Sequence, residues 1–218
     1  MRLEREVLEK NDRLAERGRG WFAGRGVFAL NLMGSPGAGK TALIERTIRE
    51  AGGRPEVVVI EGDQETSRDA ERVRAAGGRV VQINTGAGCH LDAAMVLSAL
   101  PGLDPPPGSL LVIENVGNLV CPALFDLGEG ARAVVCSVAE GDDKPLKYPH
   151  MFRRADAIVL SKVDLLPYVP FDRALFFARA REVNPRARLL EVSATRGDGV
   201  GAWLSWLREA LPGRVSPP

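Results

Sequence analysis

This sequence has no apolar run long enough to cross a bilayer, almost no net charge and too few cysteines to staple a fold. The first absence argues against a membrane-spanning protein. A net charge of +1 lacks the basic field expected of a nucleic-acid binder. The three cysteines, Cys89, Cys121 and Cys136, are an odd number and do not suggest a disulfide framework. They fit a reducing cytoplasm, where thiols raise a metal or redox question instead. The opening Met1-Arg-Leu-Glu-Arg-Glu-Val is charged and carries no apolar signal segment, which agrees with that compartment.

What is present centres on Gly34-Ser-Pro-Gly-Ala-Gly-Lys-Thr41, which fits the phosphate-loop pattern G-x-x-x-x-G-K-[ST]. Its context is right: a mostly apolar run, Val27 to Met33, precedes it, and a helical pattern with Leu43, Ile44 and Ile48 follows. Gly34, Gly37, Ala38 and Gly39 would bring backbone N–H groups to the phosphates, and the helix N-terminus adds positive dipole. Lys40 would reach the β- and γ-phosphates, and Thr41 would place its hydroxyl on Mg²⁺.

The chain of 218 residues is long enough for one large core. Buried strands are expected at 27–33, 57–60, 80–83, 110–113, 133–138, 157–160 and 188–192, with helices between them. That alternation predicts an α/β P-loop NTPase with a mostly parallel sheet of about seven strands and helices on both faces. Residues 1–26 read as an N-terminal helix (3–17, with Leu3, Val7 and Leu14 on one face) and a Gly/Arg-rich connector from which Trp21 and Phe22 dock on the core. Residues 27–213 read as the nucleotide-binding domain, with a proline-rich turn at 101–108, and 214–218 as a frayed tail.

Ligands in such sheets sit at the carboxyl ends of strands, where the remaining motifs fall. Asp63 and Glu114 are the candidate Mg²⁺ carboxylates. Glu114 opens Glu-Asn-Val-Gly, an acid-then-glycine arrangement in which Gly117 would sense the γ-phosphate. Ser161-Lys162-Val163-Asp164 stands where GTPases carry N-K-x-D. Asp164 would accept hydrogen bonds from guanine N1–H and N2–H₂, a donor pair adenine lacks. The stem of Lys162 would cover the base. Ser161 in place of Asn is expected to weaken contacts to the base and to the phosphate loop. Ser193-Ala194-Thr195 reads as the last base-binding loop, with the Ala194 N–H toward guanine O6.

Cys89-His90 and the later Cys121-Pro offer two thiolates and an imidazole, ligands for Ni²⁺ or Zn²⁺. Three ligands leave a position open, and two chains could share such a site across a two-fold axis. A helix starting after Cys89 would lower its thiol pKa. Read from spacing alone, a buried Cys and a hydrogen-bonded His fit equally well. Cys136, mid-strand among valines, reads as core, and His150 as uncommitted.

Taken together these stretches resemble the hydrogenase nickel incorporation GTPases, the HypB family of SIMIBI-class P-loop proteins. The matching segments include Ile60-Glu-Gly-Asp-Gln-Glu-Thr, Asn84-Thr-Gly-Ala-Gly-Cys-His-Leu, Ile113-Glu-Asn-Val-Gly-Asn-Leu-Val-Cys-Pro and Asp143-Lys-Pro-Leu-Lys-Tyr-Pro. The resemblance implies a GTP-hydrolysing metallochaperone for nickel–iron hydrogenase. Its metal site would be Cys89, His90 and Cys121, and Lys40, Thr41, Asp63 and Glu114 would be its catalytic and Mg²⁺ positions. It also implies a GTP-promoted homodimer, a nickel-transfer partner and a hydrogenase large-subunit precursor. The N-terminus has no cysteine-rich or histidine-rich nickel motif, so nickel would depend on the G-domain site or on a partner. No Gln or Arg stands out as a catalytic residue, so hydrolysis should be slow. The competing readings are a urease accessory GTPase, a small-molecule P-loop kinase and a zinc-bound structural dimer.

Overall fold

The structure, a computed structural model, describes residues 2–63, 67–86 and 88–211. Helix α1 (Arg2–Arg25) leads into β1 (Phe28–Gly34) and α2 (Lys40–Ala51). Then follow β2 (Val57–Asp63), α3 (Arg68–Ala75), β3 (Arg79–Asn84), α4 (Ala93–Leu103) and β4 (Leu110–Glu114). The second half runs β5 (Ala131–Ser137), α5 (Lys144–Lys147), α6 (Pro149–Arg153), β6 (Ala157–Ser161), α7 (Arg173–Val183), β7 (Arg188–Val192) and α8 (Val200–Ala210). The expected tail at 214–218 lies outside the described residues.

All seven strands are parallel, in the order β3-β2-β4-β1-β5-β6-β7. The phosphate-loop strand β1 is therefore central, between β4 and β5, and every residue of it is buried. Both faces are covered, which is why the central strands read as apolar runs rather than alternating ones. On one face Val57, Val59, Leu110 and Val112 meet Leu43 and Ile44 of α2 and Trp203 of α8. On the other, Val58, Ile60, Leu111 and Ile113 meet Val96 and Leu100 of α4 and Phe22 of α1. Beyond β1, Val134, Cys136, Ile158 and Leu160 pack on Phe152 and Phe176. Cys136 is thus core, and burial pushes its thiol pKa well up. No helix among the described residues is long and apolar enough to cross a membrane.

Two local expectations are corrected. Residues 18–25 are not a connector: α1 continues through them. Its seated face is Asn11, Ala15, Gly18 and Phe22, while Val7 is 48% exposed. Small residues on that face allow a backbone-to-backbone approach, since a Cβ on Gly128 would lie 2.6 Å from the Ala15 carbonyl. That packing outweighs the poor helix propensity of three glycines. Trp21 and Phe22 do dock on the core. The turn expected from Pro101 begins later, because Pro101 lies in the last turn of α4 and the chain leaves at Asp104 with φ 42°. The stretch 144–153 folds as two short helices, each begun by a proline near its N-terminus. His150 is exposed on the second.

Candidate nucleotide and metal sites

A cleft of about 470 Å³ opens at the carboxyl end of β1. Lys40, Thr41, Glu61, Asp63, Glu114, Gly117 and Lys162 line it, with the loop between β1 and α2 as its floor. Gly37 and Gly39 take φ of 73° and 96°, the left-handed region that lets this loop wrap inward. Lys40 Nζ donates to the carbonyls of Gly34 and Ser35, both at 3.3 Å, across the mouth of that loop. Lys162, itself at φ 58°, donates to the Gly37 carbonyl at 2.7 Å.

The loop tie that Ser161 was expected to weaken is made: its hydroxyl donates to the Ala38 carbonyl at 2.5 Å. Ser161 and Val192 are register partners, so the segments after β6 and β7 leave the sheet side by side. Asp164 begins the short 3-10 stretch Val163–Tyr168. Ser193 pins its loop by accepting from the Arg196 N–H at 3.1 Å. Asp164, Ser193 and Ala194 are not among the residues that line the cleft.

The acids cluster for a reason visible in the register. Glu61 and Glu114 are paired positions on β2 and β4. Strand alternation puts Glu61 and Asp63 on the face of Val57 and Val59, and Glu114 on the face of Leu110 and Val112. Two core-facing apolar ladders therefore end in carboxylates above α2. Thr41 donates its hydroxyl to Glu114 Oε1 at 2.8 Å. Glu114 Oε2 and Glu61 Oε2 are buried without a hydrogen-bond partner. Burial, and then the neighbouring carboxylates Glu114 and Asp63, push the Glu61 carboxyl up to about 8. Burial pushes Glu114 up to about 7 against the pull of Lys40 and the Thr41 hydroxyl. Hard oxygen donors with orphaned valences beside a phosphate loop fit a divalent cation such as Mg²⁺. The sequence places Glu61 in the Ile60-Glu-Gly-Asp segment at a strand end but gives it no role, although the alternation Val57, Val59, Glu61, Asp63 carried the signal.

The second site lies behind the first. Cys89 Sγ, a His90 ring nitrogen and Cys121 Sγ all lie within 4.8 Å of one another. The His90 ring stacks on Phe125 with centroids 4.0 Å apart. Burial lowers the His90 pKa, which favours the neutral ligand form. The hydrogen bond shared with Cys89, and then burial, push the Cys121 thiol up. Cys89 is not at a helix N-terminus: α4 begins at Ala93, and Asp92 caps it by accepting from the Met95 N–H at 2.8 Å. Two thiols and an imidazole fit a soft or borderline cation such as nickel or zinc.

Residues 115–121 join the two sites. A Cβ on Gly117 would meet the Pro36 backbone at 2.8 Å, so this segment lies directly on the phosphate loop. The Asn118 N–H donates to the Gly34 carbonyl at 3.1 Å, and its side-chain amide donates to the Cys89 carbonyl at 3.3 Å. Sequence reasoning did not single out Asn118 or Phe125.

A model of the CobW/HypB/UreG nucleotide-binding domain matches residues 28–191. The hydrogenase maturation factor HypB of Rhizobium leguminosarum bv. viciae is 55% identical over 215 residues, 99% of this chain and 72% of that protein. The crystal structure of HypB from Archaeoglobus fulgidus matches with a TM-score of 0.87 and 44% identity, over 94% of this chain and all of that one. HypB from Helicobacter pylori, solved in complex with nickel, matches at 0.88 and 36%, over 95% of this chain and 100% of that one.

Proposed function

Because the chain belongs to the CobW/HypB/UreG family, and within it to the HypB hydrogenase maturation factors, we propose that it works as a GTP-operated carrier of nickel for nickel–iron hydrogenase. Nucleotide hydrolysis comes with the family; guanine as the base and a slow turnover are our reading. Asp164 supports guanine, since a carboxylate pairs with the N1–H and N2–H₂ edge. Ser161 bears on affinity rather than on the choice of base, by holding Ala38 and so the phosphate loop against the base-side segment. Lys40 would hold the phosphates, and Thr41, Asp63 and Glu114 the Mg²⁺, whose charge screens the phosphate oxygens.

One observation carries the coupling of nucleotide to metal. Asn118 touches the phosphate loop through its backbone and the Cys89 segment through its side chain. A shift of Gly117 on γ-phosphate loss therefore pulls on both the 89–90 and the 121 ligands. Nickel is the cargo, held by Cys89, His90 and Cys121, and zinc is its competitor at the same donors. Val120 and Leu124 flank Cys121 and are 55% and 49% exposed, an apolar rim that supports a homodimer closing over the metal. The nickel donor protein and the hydrogenase large-subunit precursor would then be the partners on either side of transfer. None of the three thiols is paired in a disulfide, which supports a reducing cytoplasm. The urease accessory factor and the small-molecule kinase are not favoured.

The test is a titration of metal-free protein with Ni²⁺ and Zn²⁺, once with GDP and once with a non-hydrolysable GTP analogue, while the mass in solution is recorded. Metal affinity and dimerisation that move together with the nucleotide, and fail to in Cys89→Ala, uphold the carrier. Metal binding indifferent to nucleotide sinks it and favours the zinc-bound structural dimer.

A further inference from the structure

We propose that Glu61 is a positioning carboxylate for the cation of the nucleotide site, accepting a hydrogen bond from a water that the cation carries. The inference rests on the nucleotide reading above and adds a residue to it. Glu61 is only 2% exposed, yet it lines the phosphate cleft and its Oε2 has no hydrogen-bond partner. A buried carboxylate left this way costs stability and is retained where a ligand completes it. The neighbouring strand repeats the pattern, since Glu114 spends Oε1 on Thr41 and leaves Oε2 orphaned.

The chemistry of the missing partner is restricted. In the ionised form that a bound cation favours, both orphans are acceptors and need donors. Phosphate oxygens are acceptors too and cannot serve. The cleft's cations are turned elsewhere: Lys40 and Lys162 both donate to loop carbonyls. Arg72 is held by Glu45 and Asp69 at 3.0 Å each. Water bound to a divalent cation is a strong donor, and Mg²⁺ keeps several waters when it binds beside phosphates. Glu61 lies on the same face as Asp63 and one strand over from Glu114, so it can receive such a water without displacing either ligand.

The experiment follows binding of a fluorescent GDP analogue as Mg²⁺ is raised, for the wild-type chain, Glu61→Gln and Glu61→Ala. Outer-shell partners of metal ligands are worth about 10–100-fold in metal affinity, so both variants should need about 10-fold or more extra Mg²⁺ for half saturation. In chelator, with nucleotide and cation removed, Glu61→Gln should melt no lower than the wild type, because Glu61 Oε2 has no partner to lose. A structural role predicts the reverse order of melting. Half saturation unchanged in both variants overturns the proposal and leaves the nucleotide reading standing. A wild-type chain whose nucleotide affinity ignores Mg²⁺ overturns both.

Discussion

Asn118 donates its side-chain amide to the carbonyl of Cys89 across 29 residues of sequence, at 3.3 Å. The backbone of a proposed metal ligand is thereby tied to the segment that lies on the phosphate loop. Asn118→Ala should leave Cys89, His90 and Cys121 able to bind Ni²⁺ but make that binding insensitive to nucleotide. A coupled pair of sites typically shifts affinity by about 5–150-fold, and the variant's GDP-to-GTP-analogue ratio should fall to near one. A ratio equal to the wild type's would remove Asn118 from the linkage.

The proposed metal ligands themselves should behave as a set. Cys89→Ala or Cys121→Ala leaves two donors of three and should cost more than the roughly 10–100-fold typical of a lost outer-shell partner. Phe125→Leu keeps all three donors and removes only the ring under His90. It should cost less than either cysteine, a ranking that a competitive chelator titration reads directly.

Ser161→Ala removes the hydroxyl donor to the buried Ala38 carbonyl. Loss of about 1–3 kcal/mol of stability is expected from the orphaned acceptor. Guanine nucleotide affinity should drop with it, while the preference for GTP over ATP should persist, since Asp164 is untouched. Asp164→Ala should do the opposite and erase the preference. Competition of ATP against labelled GDP separates the two.

Stability of the ligand-free chain should fall as pH rises. In the unfolded chain Glu61 and Glu114 titrate near 4.5, whereas in the folded one burial holds their protons to about 8 and about 7. Between those limits the folded state binds more protons than the unfolded, so lowering the pH from 8 to 6 in chelator should raise the melting temperature. Mg²⁺ with GDP favours the ionised carboxylates and should flatten the slope. Glu61→Gln should flatten its upper end without any ligand. A Glu61→Gln slope matching the wild type's would assign the pH dependence to other groups.

Gly117→Ala should be more damaging than its size suggests, because its Cβ would lie 2.8 Å from the Pro36 nitrogen. Overpacking of this kind costs about 1–3 kcal/mol. It should also lower nucleotide affinity, since the strain falls on the phosphate loop itself. Equal nucleotide affinity in the variant would show that the 115–121 segment gives way without disturbing the loop.

The seven strands could be read to within about three residues at their ends because both faces of this sheet are covered; β2 runs on to Asp63, past the end its apolar run set. Runs such as Val57 to Ile60 and Leu110 to Ile113 are then apolar throughout and stand out. The phosphate loop and the cluster of Cys89, His90 and Cys121 were legible for a different reason: the chemistry they suggest is confined to a few residue types. What escaped depends on tertiary contact. The seated face of α1 contains Asn11 and Gly18, which no hydrophobic count selects. Asn11 is buried because its side chain accepts from the Ala93 N–H and donates to the Asp126 carbonyl. Glu61 escaped because an acid at a strand end looks solvated until the neighbouring strand's Glu114 is known to stand beside it.

The seating of α1 reaches further than its distance from the cleft implies. Arg19 holds the Asp126 carboxylate at 3.0 Å, Asn11 holds the same residue's carbonyl at 2.8 Å, and the ring preceding it in the chain is the one on which His90 lies. The imidazole thus has a foundation laid at the opposite end of the sequence. Tilting that first helix would turn the imidazole of the proposed metal set, and through Arg19, Glu129 and Asn31 it would also be felt at Asn115 in the phosphate cleft, so the two sites share a footing far from either.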